Sequence, residues 1–565
     1  MDILQRNIPL LRTLKTYDSA TFKGDLSAGL TTAVMLIPQA MAYAMLAGLD
    51  PIIGLYSSMA PIIAYAVFGT SRQLAVGPVA MVSLLVASSV GAIAQTGTPE
   101  YLAYAVLLSA MVGVMQLGMG IGRLGFLVNF LSHPVVAGFT SAAALIIGFS
   151  QLKHVLGVNI PRSHHVHEIL LQAWALAPEW HGLTAGIAIA SMVALMAMKK
   201  WNPRFPRFLV VVGASTLAVW WLGLDAQGVK IVGEVPAGLP APSLPAFDFE
   251  AFDALLPMAI TISLVGFMES ISVAKSFARQ NKYEVDANQE LKGLGLANLF
   301  GALFGAYPTT GGFSRTAVNA QAGALTGVAG IITAVAVAIT LLFFTPLFYY
   351  LPKAVLAAII MTAVFGLVDH KEARHLWHVS KPDLAMMAIT FFATLTLGIE
   401  QGIVVGVVAS IAWFVKRAST PHIAVLGHLP GQQVYRKLER NPDAVPVPGV
   451  LMVRIDAPLF YANVSYLKTT LRELEEERDD VQHVILDAKG IGDIDASAIN
   501  ALEELREDYT DRGIQLWIAG MHGPVKDALS RSHFVEHLGE EHFVLRVHHA
   551  VTAIGAPWQA QGGAA

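Results

Sequence analysis

Ala75-Val76-Gly77-Pro78-Val79-Ala80 and Thr309-Thr310-Gly311-Gly312-Phe313-Ser314-Arg315-Thr316 break two apolar stretches with glycine and proline where a membrane helix would run smoothly. Each break predicts a short helix that begins at bilayer depth. A helix starting there points its unbonded N–H groups and the positive end of its dipole at whatever lies in front of it, which is an anion site. The two breaks fall at comparable places in the two halves of one long hydrophobic region. That is the pattern of a transporter built from an inverted repeat, with substrate held between two half-helices. The expectation is an anion transporter.

Composition points the same way. The 565 residues are 54% hydrophobic and only 14% charged, against roughly 25% charged in an ordinary soluble protein; the mean hydropathy is +0.55. Between Leu26 and Gly120 the formally charged side chains are Asp50, Arg72 and Glu100 alone, so the apolar runs exceed what a soluble core helix needs. A net charge of −4 carries no signal for nucleic acid. The absence of cysteine excludes disulfides and thiolate metal sites. Arg6, Arg12, Lys15 and Lys23 precede the first apolar run, which continues through Pro38 and Gln39 without a small-residue cleavage site. It reads as a retained first helix.

Apolar segments lie near 25–47, 51–69, 77–95, 101–120, 134–152, 182–199, 207–224, 254–275, 291–306, 313–321, 324–345, 353–369, 383–398 and 402–416. These make about fourteen spans, two of them short. Arg72, Arg123, the Lys199-Lys200-Arg204-Arg207 cluster, Lys275-Arg279-Lys282, Lys371-Arg374-Lys381 and Lys416-Arg417 fall on the side of the N-terminus. By the positive-inside rule that side is cytoplasmic. Lys153, Arg162, Lys230 and Lys353 are scattered exceptions. Division into seven plus seven spans inverts the second half and makes the third span of each half the broken one. Gly293, Ala297, Gly301 and Gly305 in segment nine predict a small-residue packing face.

Beyond Lys416-Arg417 the chain turns acidic and alternates apolar strands with charged helical stretches, a soluble α/β pattern. Strands are predicted near 450–455, 483–486, 514–518 and 543–546, and helices near 464–477, 496–509 and 525–530. The expected division is a cytoplasmic segment at 1–24, a transmembrane transport domain at 25–420, a cytoplasmic domain at 421–555, and a disordered Gly/Ala/Gln-rich tail at 556–565.

The stretches Ile37-Pro38-Gln39-Ala40-Met41-Ala42-Tyr43-Ala44, Gly54-Leu55-Tyr56-Ser57-Ser58, Phe68-Gly69-Thr70-Ser71-Arg72, Gly77-Pro78-Val79-Ala80, Asn288-Gln289-Glu290-Leu291 and Ser314-Arg315-Thr316 resemble the SulP (sulfate permease) family, to which prestin and pendrin belong. Leu486-Asp487-Ala488 and Ile494-Asp495-Ala496-Ser497-Ala498 resemble its C-terminal STAS domain. The resemblance implies a membrane all-α domain of about fourteen segments, divided into core and gate, followed by a soluble α/β domain. It further implies a homodimer and substrate bound between the third and tenth helices. Gln39, Tyr43, Val79, Ala80, Phe313 and Ser314 match family positions lining that site. Packing competes as a role for Tyr43 and Phe313, and helix capping for Ser314. An amide in hydrocarbon, as at Gln39, needs a partner.

Glu269 lies inside the eighth apolar span, where a carboxylate is costly and marks function. It is the candidate proton carrier. A structural ion pair with Arg315 is the competing role. Arg315 can add positive potential near the anion without touching it, or snorkel at its helix end. His164, His165 and His167 lack carboxylate or thiolate companions at useful spacing, so no metal is expected. Ser497 matches the phosphorylated position of bacterial anti-sigma-factor antagonists, but Ala496 and Ala498 depart from their Asp-Ser-Ser-Gly motif. An N-cap role for Asp495 or Ser497 is the simpler expectation.

With no Walker loop, catalytic triad or cofactor motif, the sequence implies no enzyme and no cofactor. The function expected is secondary-active, proton-coupled sulfate symport by an elevator-like movement of the core, in an inner or plasma membrane. Bicarbonate, chloride and dicarboxylate are the alternative substrates. A membrane-tethered regulatory platform is the alternative from another class.

Overall fold

The computed structural model describes residues 7–126, 132–161, 166–202 and 205–555. Arg6, Arg162, His164, His165, Arg204 and the tail at 556–565 lie outside them. The chain divides into two units, Met1–Ser410 and Ile411–Ala565.

Every predicted apolar segment is occupied by helix. In chain order these helices are α1 (Ser19–Ala47), α2 (Pro51–Phe68), α3 (Ala80–Ile93), α4 (Pro99–Ile121), α5 (His133–Ser150), α6 (Gly182–Trp201), α7 (Arg207–Leu222), α8 (Phe249–Gln280), α9 (Ala287–Leu303), α10 (Phe313–Gln321), α11 (Val328–Phe343), α12 (Lys353–Val364), α13 (Lys381–Leu397) and α14 (Ile399–Ser419); among the described residues eight helices are long and apolar enough to cross a membrane. The third and tenth are short because each begins only after a two-residue strand, β1 (Val76–Gly77) before α3 and β2 (Thr310–Gly311) before α10. These two strands pair antiparallel, Val76 opposite Gly311 and Gly77 opposite Thr310.

The helices sort into two packed groups. In one, α9 lies on α2 and α4, α11 on α1 and α2, α8 on α3 and α4, and α10 on α1. In the other, α13 lies on α5, and α6 on α7 and α12. These are the expected core and gate, joined where α7 and α12 meet α1 and where α5 meets α3. Close approach of α4 and α9 requires small residues on both. A Cβ on Gly295 would lie 2.5 Å from the Leu117 nitrogen, and one on Gly113 would lie 2.7 Å from the Leu299 nitrogen. The face read from sequence is present at Gly293, against the Gly69 backbone, and at Gly301, against Pro61. Gly305 is a correction to it: it lies past the end of α9 with φ +70 and open space around it, a turn residue and not a packing one.

Two sequence motifs meet here. The carboxylate of Glu290, fully buried, accepts from Tyr65 Oη at 2.6 Å, Thr70 N at 2.6 Å, Thr70 Oγ1 at 2.6 Å and Ser71 N at 3.0 Å. Four donors in one pocket satisfy a buried charge that would otherwise be costly. The start of α9 is thereby tied to the loop after α2.

The second unit is a six-stranded sheet in the order β4-β3-β5-β6-β7-β8, formed by β3 (Ile423–His428), β4 (Tyr435–Lys437), β5 (Val450–Ile455), β6 (His483–Asp487), β7 (Gln515–Ala519) and β8 (Phe543–Val544). β5 to β8 are parallel and β3 and β4 antiparallel. Helices Val464–Glu476, Ala496–Asp511 and Gly523–Arg531 cover one face through Leu467, Leu471, Leu502, Leu505 and Leu529. The helix Val547–Ala553 covers the other. The four expected strands and three expected helices are all present. β3 and β4 form an additional edge hairpin that the sequence pattern had not identified.

Candidate functional site

The β1–β2 ribbon brings the two broken spans into contact. Antiparallel pairing makes the chain leave the ribbon at opposite ends into α3 and α10, and a Cβ on Gly312 would stand 3.3 Å from Val79 Cγ1, so the two helix starts lie close together. Gly312 N donates to Ala75 O at 3.1 Å, Ala75 N donates to Thr316 Oγ1 at 3.0 Å, and Thr316 Oγ1 donates to Gly312 O at 2.8 Å. Neither helix start is capped by a side chain: Val79 precedes α3, and Gly312 precedes α10. Ser314 therefore does not cap its helix. The first-turn N–H groups of both helices keep the partial positive charge of an open N-terminus.

Scaffolding comes from residues with no sequence signal of their own. Ser270 of α8 shares a 2.6 Å hydrogen bond with Thr310 Oγ1 and accepts from Gly311 N at 2.8 Å; Thr310 Oγ1 also donates to Gly266 O at 2.7 Å. Asn298 of α9, fully buried, accepts from Thr309 N at 2.7 Å and donates to Thr309 O and to Gln116 Oε1 of α4, each at 3.1 Å. Ser83 of α3 bonds Tyr307 Oη at 2.9 Å. The Asn298–Gln116 and Ser83–Tyr307 contacts cross more than a hundred positions, and Ser270 and Gly266 reach Thr310 and Gly311 across 40 to 44 positions, so no local pattern announces them.

The site residues read from sequence divide between interior and exposed positions. Gln39 is 1% exposed, and its Nε2 donates to Tyr43 Oη at 2.9 Å. They stand three and seven residues after Leu36, on the side of α1 that meets Gly77. Val79 and Ala80 are buried at the start of α3. Phe313 and Ser314 are exposed, with the Phe313 ring 6.2 Å from that of Phe277.

Arg315 is 1% exposed and donates through Nη1 to Pro78 O. Its Nη2 lies 3.0 Å from where a Cβ on Gly312 would stand and 3.6 Å from one on Gly77. The guanidinium thus sits between the two breaks and does not snorkel. Among the described residues its Nε and Nη2 have no hydrogen-bond partner, and neither do Gln39 Oε1 and Glu269 Oε2. The ion pair between Glu269 and Arg315 considered above is not formed. Glu269 lies one position before Ser270 on α8, beside the ribbon anchor. Buried polar groups are normally paired. A guanidinium with two unused N–H directions, next to two open helix starts, is suited to an oxyanion that arrives and leaves.

In the second unit Asp495 Oδ1 accepts from Ala498 N at 2.8 Å and is the N-cap of Ala496–Asp511. Ser497 is exposed in the first turn of that helix.

The sulfate permease family profile matches residues 22–390, and the STAS domain profile matches residues 441–550. The chain belongs to the sulfate permease family. It is 44% identical over 570 residues to the Arabidopsis thaliana protein "Sulfate transporter 4.1, chloroplastic", with 98% of this chain and 83% of the relative covered. Among solved structures it is similar to murine Slc26a9, an anion transporter in the inward-facing state, with 26% identity and TM-score 0.91 over 97% of this chain and 94% of that one. It is also similar to the transmembrane domain of the cyanobacterial bicarbonate transporter BicA, with 25% identity and TM-score 0.61 over 70% of this chain and 98% of that one. As a sulfate permease family protein the chain is a multi-pass membrane transporter and not an enzyme.

Proposed function

We propose that this family member carries sulfate, bound between the starts of α3 and α10. The observation that carries the proposal is the buried Arg315 guanidinium, two of whose nitrogens are unused, lying between two uncapped helix starts held together by an antiparallel ribbon. First-turn amides of α3 beyond Val79 and Ala80, those of α10 at Phe313 and Ser314, and the Gln39–Tyr43 pair supply the remaining contacts. A cradle of amides, hydroxyls and one cation suits turnover, because several cations around the anion would retain it. Sulfate is first in line because the Arabidopsis relative, alike over nearly the whole chain, is named for it.

Glu269 is the proton-coupling residue in this proposal, and the core helices carry the site past the gate in an elevator-like step. The protein works as a homodimer in an inner or plasma membrane, with the N-terminus and the STAS domain cytoplasmic. Bicarbonate is the second reading, supported by the likeness to BicA. Chloride and dicarboxylates suit the same cradle.

Uptake of labelled sulfate, bicarbonate and succinate into proteoliposomes under an imposed pH gradient tests the proposal. Sulfate accumulation driven by the inward proton gradient is expected. A bicarbonate preference with sodium dependence would replace the sulfate–proton assignment and leave the fold untouched.

A further inference from the structure

We propose that the helix His370–Val379 docks on anionic lipid headgroups and so seats the gate on the membrane surface at the face of the N-terminus. The inference concerns the outer wall of the membrane unit and stands whichever anion the half-helix site carries.

The chain places this helix at the edge of the bilayer. α12 ends at Val364, the backbone turns through Phe365–Leu367, and a new ten-residue helix begins after Asp369, whose carboxylate accepts from Glu372 N at 2.9 Å. It stops at Ser380, which is also the N-cap of α13. A short helix set directly between two apolar helices of the membrane unit has no length of linker with which to leave the surface. It lies where an amphipathic helix meets headgroups.

One stripe of the helix is committed to protein. Leu376, 5% exposed, packs with Ala137 of α5 and Met387 of α13, and Ala373 and Leu384 join them. Glu372 lies toward the same elements, 3.4 Å from His133 Nδ1 at the start of α5. At about 100° per residue, Lys371, Arg374 and His378 fall on the side opposite Leu376, and all three are exposed. Trp377 stands between the two stripes and is 65% exposed. Lys381, just beyond the helix, is exposed as well.

The charges are segregated. Asp369 caps the helix, Glu372 stands by His133, and Asp383 belongs to the first turn of α13. The outer stripe is left with cations alone. Lysine is depleted from the buried centres of protein interfaces, whereas Lys and Arg beside a tryptophan match a surface of anionic headgroups over an acyl boundary. Each cation held near such a surface favours the bound state by a factor of about five. The positive-inside rule accounts for basic residues at this face. It does not account for their placement on one stripe, with an indole at its edge.

Full-length protein in phosphatidylcholine vesicles containing a minor fraction of phosphatidylglycerol provides the test. A brominated lipid quenches the tryptophans it touches, and W377F identifies the part that Trp377 contributes. That part should be quenched by brominated phosphatidylglycerol in preference to brominated phosphatidylcholine. K371Q/R374Q should weaken the preference about fivefold per cation, roughly 25-fold for the pair, and K371R/R374K should keep it. If neither brominated lipid quenches Trp377, water or protein covers the helix and the proposal is overturned. Equal quenching by the two lipids overturns it too, as does an undiminished preference in K371Q/R374Q. The comparison of lipids on wild type decides the matter even where the double variant fails to fold.

Discussion

Arg315 and Glu269 show what a single residue can and cannot reveal before the fold is known. Both stood out in the sequence as charges in apolar surroundings. The competing roles read for them, an ion pair and a snorkelling arginine, assume that a buried charge must find its nearest opposite or reach water. The structure supplies a third solution, in which the guanidinium bonds the Pro78 carbonyl and keeps two nitrogens unused. Removing that cation should be severe. A hydrogen bond to a charged group contributes about 1.5–3 kcal/mol, so Arg315→Ala should weaken sulfate binding by roughly 10- to 100-fold, measured by binding to purified protein. Arg315→Lys should recover little, because an ammonium cannot hold the carbonyl and the anion in the same planar fork. Glu269→Gln makes the complementary case. It should abolish sulfate accumulation driven by a proton gradient while leaving binding largely intact, and unchanged proton-driven accumulation would remove Glu269 from coupling. Glu290 is a buried carboxylate with a different job. Its four donors are all framework, so Glu290→Gln should lower the melting temperature in detergent without shifting the KM for sulfate.

Elements were legible wherever their signal was local. Hydropathy located segments that are all helical, eight of them long and apolar enough to cross a membrane among the described residues, and Gly77-Pro78 and Gly311-Gly312 located the two breaks, because loss of helix at bilayer depth needs residues that tolerate it. The pairing of the breaks was not legible as a ribbon, since two-residue strands have no periodicity to detect. β3 and β4 escaped for a related reason: Ile423–His428 follows a membrane helix closely, and β4 spans only Tyr435–Lys437. Nor does any spacing place Ser270, Asn298 or Tyr307 against the site. The ribbon makes its own prediction. Gly77 has φ +148, a conformation that side chains rarely adopt, and a Cβ on Gly311 would stand 2.6 Å from Leu74 Cδ1. Gly311→Val should therefore disturb the ribbon and abolish sulfate uptake, with protein still reaching the membrane as judged by fractionation. Normal uptake by that variant would show that the two helix starts need not be locked together.

At the scale of the whole molecule the change of character after Arg417 matters most. The membrane unit contains every candidate anion contact, and two of its buried carboxylates are satisfied by residues of that unit: Glu290 by Tyr65, Thr70 and Ser71, and Asp25 by Tyr17, Leu325 and Thr326. The soluble unit has a separate apolar core, built between its sheet and helices from Leu451 to Val535. Two self-contained cores predict two separable activities. Protein truncated after Arg417 should still bind sulfate with an affinity within about threefold of full length, a difference below about 0.7 kcal/mol. Any effect of the truncation should fall instead on the rate of uptake, because removing a regulatory partner can alter how often the carrier turns over without touching the cradle. Isothermal titration of the truncated protein, run beside proteoliposome uptake, separates the two quantities. Loss of binding would move part of the anion site into the STAS domain and favour the regulatory platform, whereas retained binding with altered flux assigns the STAS domain to control and the half-helix pair to substrate.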